Sequence, residues 1–196
     1  MKRRINWHGQ TWITAVLVCV LAQTTVAAPN FRSAVETANK WTVLDRPNLG
    51  FSVKLPGVSK VRDEWTPFGT IHTWMLESDR TLYRVDAAEL NCLVTLFTSD
   101  ENFRKEMLQG LIRGFFAGVE KGAGKKIESK KMIREYTING FRAEEYVYTI
   151  QTKSGRKGFG HSIFSVNQKY CYTFSSAAWL SEPDPSCTFF SSIKLK

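Results

Sequence analysis

The chain has 196 residues, 43% of them hydrophobic and 23% charged, which is ordinary globular composition and enough for one domain with its own core. A domain of this size does not require a metal or a disulfide framework for stability. The net charge of +9 is compatible with an anionic partner but is too small to indicate nucleic-acid binding.

The first 27 residues have the pattern of a secretory signal peptide. Lys2, Arg3 and Arg4 precede an apolar stretch at 11–21, and small residues end at Ala27. The apolar stretch is shorter than the roughly 20 residues that a membrane-spanning helix needs. We therefore expect cleavage after Ala27, export to the periplasm or the medium, and a mature charge of +6 once the three signal cations are removed. An uncleaved membrane anchor is the alternative.

A polar lead-in at 28–40 precedes a single domain at 41–196. Alternation of apolar and polar residues predicts strands at 51–55, 70–76, 81–90, 127–138, 141–152, 161–166 and 169–175. An apolar stripe at helical spacing predicts a helix at 100–121, capped by Ser99 or Asp100. Asn139-Gly140 predicts a tight hairpin turn, and residues 187–195 predict a short apolar terminal helix. Consecutive hairpins covered by two apolar helices define an α+β class with an antiparallel sheet.

Three segments of the domain resemble the PsbP-like proteins. They are the strand and turn at 51–57, the turn and strand at 139–145, and the strand at 169–172 followed by the terminal helix at 189–191. PsbP-like proteins include photosystem II extrinsic subunits and many exported bacterial proteins of unknown role. The resemblance implies an α/β/α sandwich over 41–196, with helices on both faces of a curved antiparallel sheet. It implies no activity.

Three cysteines lie outside the predicted signal: Cys92, Cys171 and Cys187. An oxidising compartment permits one internal disulfide, and we expect it between Cys171 and Cys187, which close a loop of intermediate length. The alternative is three buried thiols that pack as small hydrophobic groups.

The common catalytic and metal-binding patterns do not occur in the sequence. It contains no Gly-x-Ser-x-Gly elbow, no Cys-x-x-Cys pair, no His-x-x-x-His spacing and no phosphate-binding loop. The remaining candidate is a pair formed by His161 and Cys171, which the predicted hairpin places on neighbouring strands. We expect no cofactor and no metal.

A basic stretch is the surface feature that suggests binding. Its members are Lys121, Lys125, Lys126, Lys130, Lys131 and Arg134. Lysines along a strand edge guard it against aggregation, and that is one interpretation. The other is that they dock on an anionic membrane surface or an acidic protein of the cell envelope.

The sequence thus favours an exported, non-enzymatic binding or accessory module of the cell envelope, with an unknown protein or an anionic membrane surface as partner and no nucleic acid. The alternatives are an uncharacterised enzyme that uses Cys171 and His161, or a membrane-tethered structural protein.

Overall fold

The computed structural model describes residues 41–78, 80–123, 126–151, 155, 157–179 and 188–196. The predicted signal peptide and polar lead-in lie outside the described residues, as do Lys125 and Cys187. None of the described helices is long and apolar enough to cross a bilayer.

Most of the described chain is β-structure. The strands are β1 (Thr42–Arg46), β2 (Phe51–Leu55), β3 (Lys60–Thr66), β4 (Gly69–Ser78), β5 (Thr81–Leu90), β6 (Lys126–Ile138), β7 (Phe141–Gln151), β8 (Lys157–Val166), β9 (Tyr170–Ala178) and β10 (Lys194–Leu195). The helices are α1 (Cys92–Thr95), α2 (Glu101–Ala123) and α3 (Thr188–Ser191), and a single 3-10 turn spans Pro47–Leu49.

Seven strands form one antiparallel sheet in the order β3-β4-β5-β9-β8-β7-β6. The hairpin predicted at Asn139-Gly140 joins β6 to β7. Both turn residues have positive φ, 50° and 80°, the backbone that a two-residue turn of this kind requires. This turn sets the register of β6 at the edge of the sheet.

Helix α2 covers one face of the sheet. Its predicted apolar stripe is buried, with Met107 only 1% exposed and Ile112 2%. The Asp100 carboxylate accepts a 2.8 Å hydrogen bond from the backbone N–H of Asn102, which confirms the cap. The core on this face also includes Phe164 and Cys171.

Among the described residues, the opposite face is covered by a second, smaller sheet. Strands β1, β2 and β10 form this sheet in the order β1-β2-β10, and α3 contributes one helical turn with Phe189 and Phe190 buried beside it. The described residues are therefore α+β and mainly β, and the α/β/α sandwich that the resemblance implied is not clear among them. The predicted terminal helix at 187–195 was too long, because residues 194–195 pair with β2.

Besides β10, two strands were not predicted. β3 is an edge strand whose residues are exposed on both faces over most of its length, so it has no alternating apolar pattern. β1 buries only Leu44, which leaves a pattern too weak to read.

Candidate functional site

The basic stretch lies mainly on β6, the edge strand next to β7. Lys126, Lys130, Lys131 and Arg134 are β6 residues, whereas Lys121 is at the carboxyl end of α2. β6 is exposed along nearly all of its length. We call the segment from Lys126 to Arg134 the basic edge.

The lysines of the basic edge are not neutralised within the described part of the chain. Neither Lys126 nor Lys131 forms an ion pair with a described residue. The Lys130 ammonium lies 4.6 Å from the centroid of the Phe116 ring, a contact that leaves its charge in place. These three cations are therefore available to an external anion.

Arg134 differs from these lysines because a buried carboxylate holds it. Its Nε donates to Oε2 of Glu145, whose side chain is 3% exposed, while the arginine side chain is 61% exposed. The guanidinium also lies 4.4 Å from the Tyr136 ring centroid. The hydrogen bond to Glu145 raises the pKa of Arg134 further. Arg134 thus fastens the edge strand to β7.

The second oxygen of Glu145 binds a buried histidine on β8. His161 Nε2 lies 2.6 Å from Glu145 Oε1, and the His161 ring packs 3.9 Å, centroid to centroid, from Phe190 of α3. Burial lowers the pKa of His161. Its Nδ1 has no hydrogen-bond partner, and a proton there would be a buried donor without an acceptor. The ring is therefore neutral and donates from Nε2 to Glu145.

The neighbouring carboxylate, Glu144, is buried on the opposite face of β7. It accepts from Gln109 Nε2 of α2 at 2.8 Å and from the Tyr146 hydroxyl at 2.9 Å. Arg142 lies 3.5 Å from Glu144 and 3.0 Å from Glu135 of β6. Burial raises the pKa of Tyr146 to about 12, with the hydrogen bond to Glu144 adding to the effect. Each face of β7 therefore has a carboxylate whose network reaches the edge strand.

Sequence reasoning missed Glu144 and Glu145 as buried groups. Adjacent strand residues point to opposite faces, so two neighbouring acids in a strand with a core on each side must both be inward. That signal is present at 144–145, but it becomes readable only when β7 is known to be covered on both faces.

The structure separates His161 from Cys171, so the proposed pair is not formed. Cys171 opposes Val166 of β8 and belongs to the core under α2, whereas His161 contacts Phe190 on the other face. Val166 is five positions after His161 in β8, and an odd offset along a strand places the two side chains on opposite faces. Burial also raises the pKa of the Cys171 thiol to about 12, which makes it a poor nucleophile.

Cys171 is buried and Cys92 is exposed, and neither forms a disulfide with another described residue. Because Cys187 lies outside the described residues, the pairing of Cys171 with Cys187 stays a prediction.

Comparison with known proteins gives neither a family nor an activity. No protein-family model matches the chain, and no curated protein matches it. Among solved structures it is similar to the cyanobacterial PsbP protein CyanoP from Synechocystis sp. PCC 6803, at 12% identity and a TM-score of 0.49, over 85% of this chain and 99% of that one. It is also similar to PA94, a protein of unknown function from Pseudomonas aeruginosa, at 14% identity and a TM-score of 0.34, over 71% and 83% of the two chains. Membership of the PsbP-like family therefore stays a prediction.

Proposed function

We propose that this protein is an exported, non-enzymatic binding or accessory module of the cell envelope, and that its basic edge holds an anionic partner. The periplasm, or the medium after signal cleavage, is the proposed location. A mature protein that begins at Ala28 is the expected result of amino-terminal sequencing, and one that begins at Met1 contradicts export by cleavage.

The observation that carries the proposal is the difference between the two edges of the large sheet. On β3, Arg62 lies 3.6 Å from Glu64, and Asp63 lies 2.8 Å from His72, so Lys60 is the one β3 lysine or arginine without an ion partner among the described residues. On β6, Lys126 and Lys131 have no such partner among the described residues. A run of uncompensated cations on one edge favours contact with an anion and speeds its association.

The arrangement also favours binding over catalysis. The buried groups that share a site, Glu145 and His161, are closed off at 3% and 1% side-chain exposure. A reacting group must reach its substrate, and neither of these is placed to do so. Their contacts to Arg134 and to α3 fit a role in holding the edge strand.

Retention on an immobilised polyanion tests the proposal. The variant Lys126→Glu/Lys130→Glu/Lys131→Glu should elute at clearly lower salt than the native protein, because each reversal replaces attraction with repulsion. The matched control is Lys54→Glu/Lys60→Glu/Lys105→Glu, which makes the same charge change at exposed positions elsewhere. Equal elution of the two triple variants would remove the basic edge as the binding surface.

A further inference from the structure

The cations of the basic edge point to both faces of the sheet. Lys130 and Met132 oppose Tyr148 and Tyr146, whose rings belong to the core under α2. Lys131 lies between them in sequence and therefore projects to the other face. The register places Lys126 and Arg134 on that other face as well. A partner on the α2 face therefore reaches one of the four cations and a partner on the other face reaches three, whereas a surface that meets the sheet edge-on reaches all of them.

Two apolar side chains are exposed among these cations. Met132 is 47% exposed and Ile133 is 41% exposed, and both directly follow Lys130 and Lys131 in the strand. Any partner that covers the lysines must therefore cover these apolar groups as well. A fully hydrated acidic surface offers no apolar environment in which Met132 and Ile133 could be buried.

The backbone of β6 is poorly suited to receiving a strand from another protein. The pairing of β6 with β7 shifts register between Ile127 and Ser129 and again between Met132 and Arg134. Bulges and lysines are features that discourage strand addition at an edge. Recognition on this edge is therefore made by side chains along a line of about 25 Å, at roughly 3.3 Å per residue.

We infer that the anionic partner is the surface of a lipid bilayer, on which the β6 edge lies with its lysines at the anionic head groups and with Met132 and Ile133 entering the head-group region. This inference rests on the proposed function and names its partner. Lysines flanking short apolar groups combine electrostatic attraction to anionic lipid with burial of apolar surface, the two terms that hold peripheral proteins on membranes.

Cosedimentation with vesicles tests the inference, using the protein purified as the cell produces it. Native protein should bind vesicles of phosphatidylcholine with phosphatidylglycerol and should not bind vesicles of phosphatidylcholine alone. Lys130→Gln/Lys131→Gln should weaken binding by about fivefold for each lysine removed. Lys60→Gln/Lys105→Gln is the matched control and should bind like the native protein.

A second variant tests the apolar contribution. Met132→Gln/Ile133→Gln keeps every charge and should weaken vesicle binding several-fold, with a loss that persists at high salt. Matching urea midpoints for all variants show that folding is unchanged, which the exposure of these positions leads us to expect.

The outcomes separate the two proposals. Retention on the polyanion without binding to anionic vesicles overturns the lipid inference and leaves the proposed function, with an acidic protein as partner. If the protein binds neither the polyanion nor anionic vesicles, both the lipid inference and the proposed function are overturned. Vesicle binding that ignores the lysine variant, or the apolar variant, overturns the placement of the β6 edge on the bilayer.

Discussion

At the scale of single residues, Glu145 joins three strands through one carboxylate. It accepts from Arg134 on β6 and from His161 on β8, and it is itself on β7. Burying a carboxylate costs desolvation free energy, which its two donors offset. Removing one donor leaves a buried carboxylate oxygen without a hydrogen bond, which costs more. The exposure of the nearby lysines could be predicted from the sequence, because an exposed cation requires no contact with another residue. The burial of Glu145 could not be predicted, because its hydrogen-bond partners depend on the register of both neighbouring strands.

Replacing Glu145 with glutamine tests this role. An amide offers one acceptor oxygen and turns its NH₂ toward the second donor, so Glu145→Gln should lower the free energy of unfolding by about 2 kcal/mol. The matched control is Glu135→Gln, whose side chain is 46% exposed and whose ion pair with Arg142 should contribute less than about 1 kcal/mol. Urea unfolding measures both. Equal losses in the two variants would show that Glu145 is not the main fastening of the edge.

The neutral state of His161 predicts a pH dependence. Its pKa is lowered in the folded protein, chiefly by burial, from the ordinary value of 6.5 in the unfolded chain. Below that value the unfolded chain takes up a proton that the native protein does not yet bind, so stability falls as pH decreases through 6.5. The variant His161→Gln should therefore lose less stability than the native protein between about pH 7.5 and pH 5.5. An unchanged slope of unfolding free energy against pH would mean that folding does not lower the pKa of His161, which would contradict its buried, neutral state.

Burial makes a separate prediction for the thiols. Iodoacetamide should label exposed Cys92 quickly and Cys171 very slowly in the native protein, because burial raises the pKa of Cys171 to about 12. Peptide mapping by mass spectrometry reads each site. Rapid native labelling of Cys171 would contradict its place in the core. Labelling after unfolding without reductant then separates a thiol, which reacts, from a bridge to Cys187, which does not.

At the scale of elements, the central strands were predictable and the outer ones less so. β7 and α2 show their period because one or both faces are buried, whereas β3 is exposed on both faces and shows none. β10 has two residues, which is too short for an alternating pattern to be recognised in the sequence. β10 and the unpredicted β1 belong to the small sheet that covers the second face, so the sequence did not predict this cover.

The pairing of β7 with β8 has a close contact that mutation can test. Gly160 lies opposite Tyr148, and a Cβ on Gly160 would overlap the buried tyrosine ring. Gly160→Ala should therefore destabilise the protein by about 3 kcal/mol or more. Gly158→Ala should cost less, since its Cβ would stop 3.0 Å from the Trp179 ring.

A double-mutant cycle with Tyr148→Leu gives the coupling between the two positions. The leucine side chain vacates the ring position, so the combined loss should be smaller than the sum of the single losses. Strict additivity would show that the ring does not pack over Gly160 in solution.

At the scale of the whole molecule, the arrangement is a sheet with two protected faces and two unequal edges. The β3 edge has one lysine without a described ion partner, Lys60, and the β6 edge has three. The α+β class and the basic stretch could be inferred from sequence, because local periodicity and composition decide them. That the lysines occupy an edge, and that β7 anchors this edge from both faces, required the order of the strands.

Lysine footprinting in the intact cell envelope tests most directly whether the basic edge contacts an anionic partner. A membrane-impermeant acetylating reagent is applied to envelopes and to the purified protein, and each lysine is read by mass spectrometry. We predict that Lys126, Lys130 and Lys131 are labelled severalfold less in the envelope, while Lys60 and Lys105 are labelled equally in both. Equal labelling of the β6 lysines in the two samples would contradict their contact with an anionic partner.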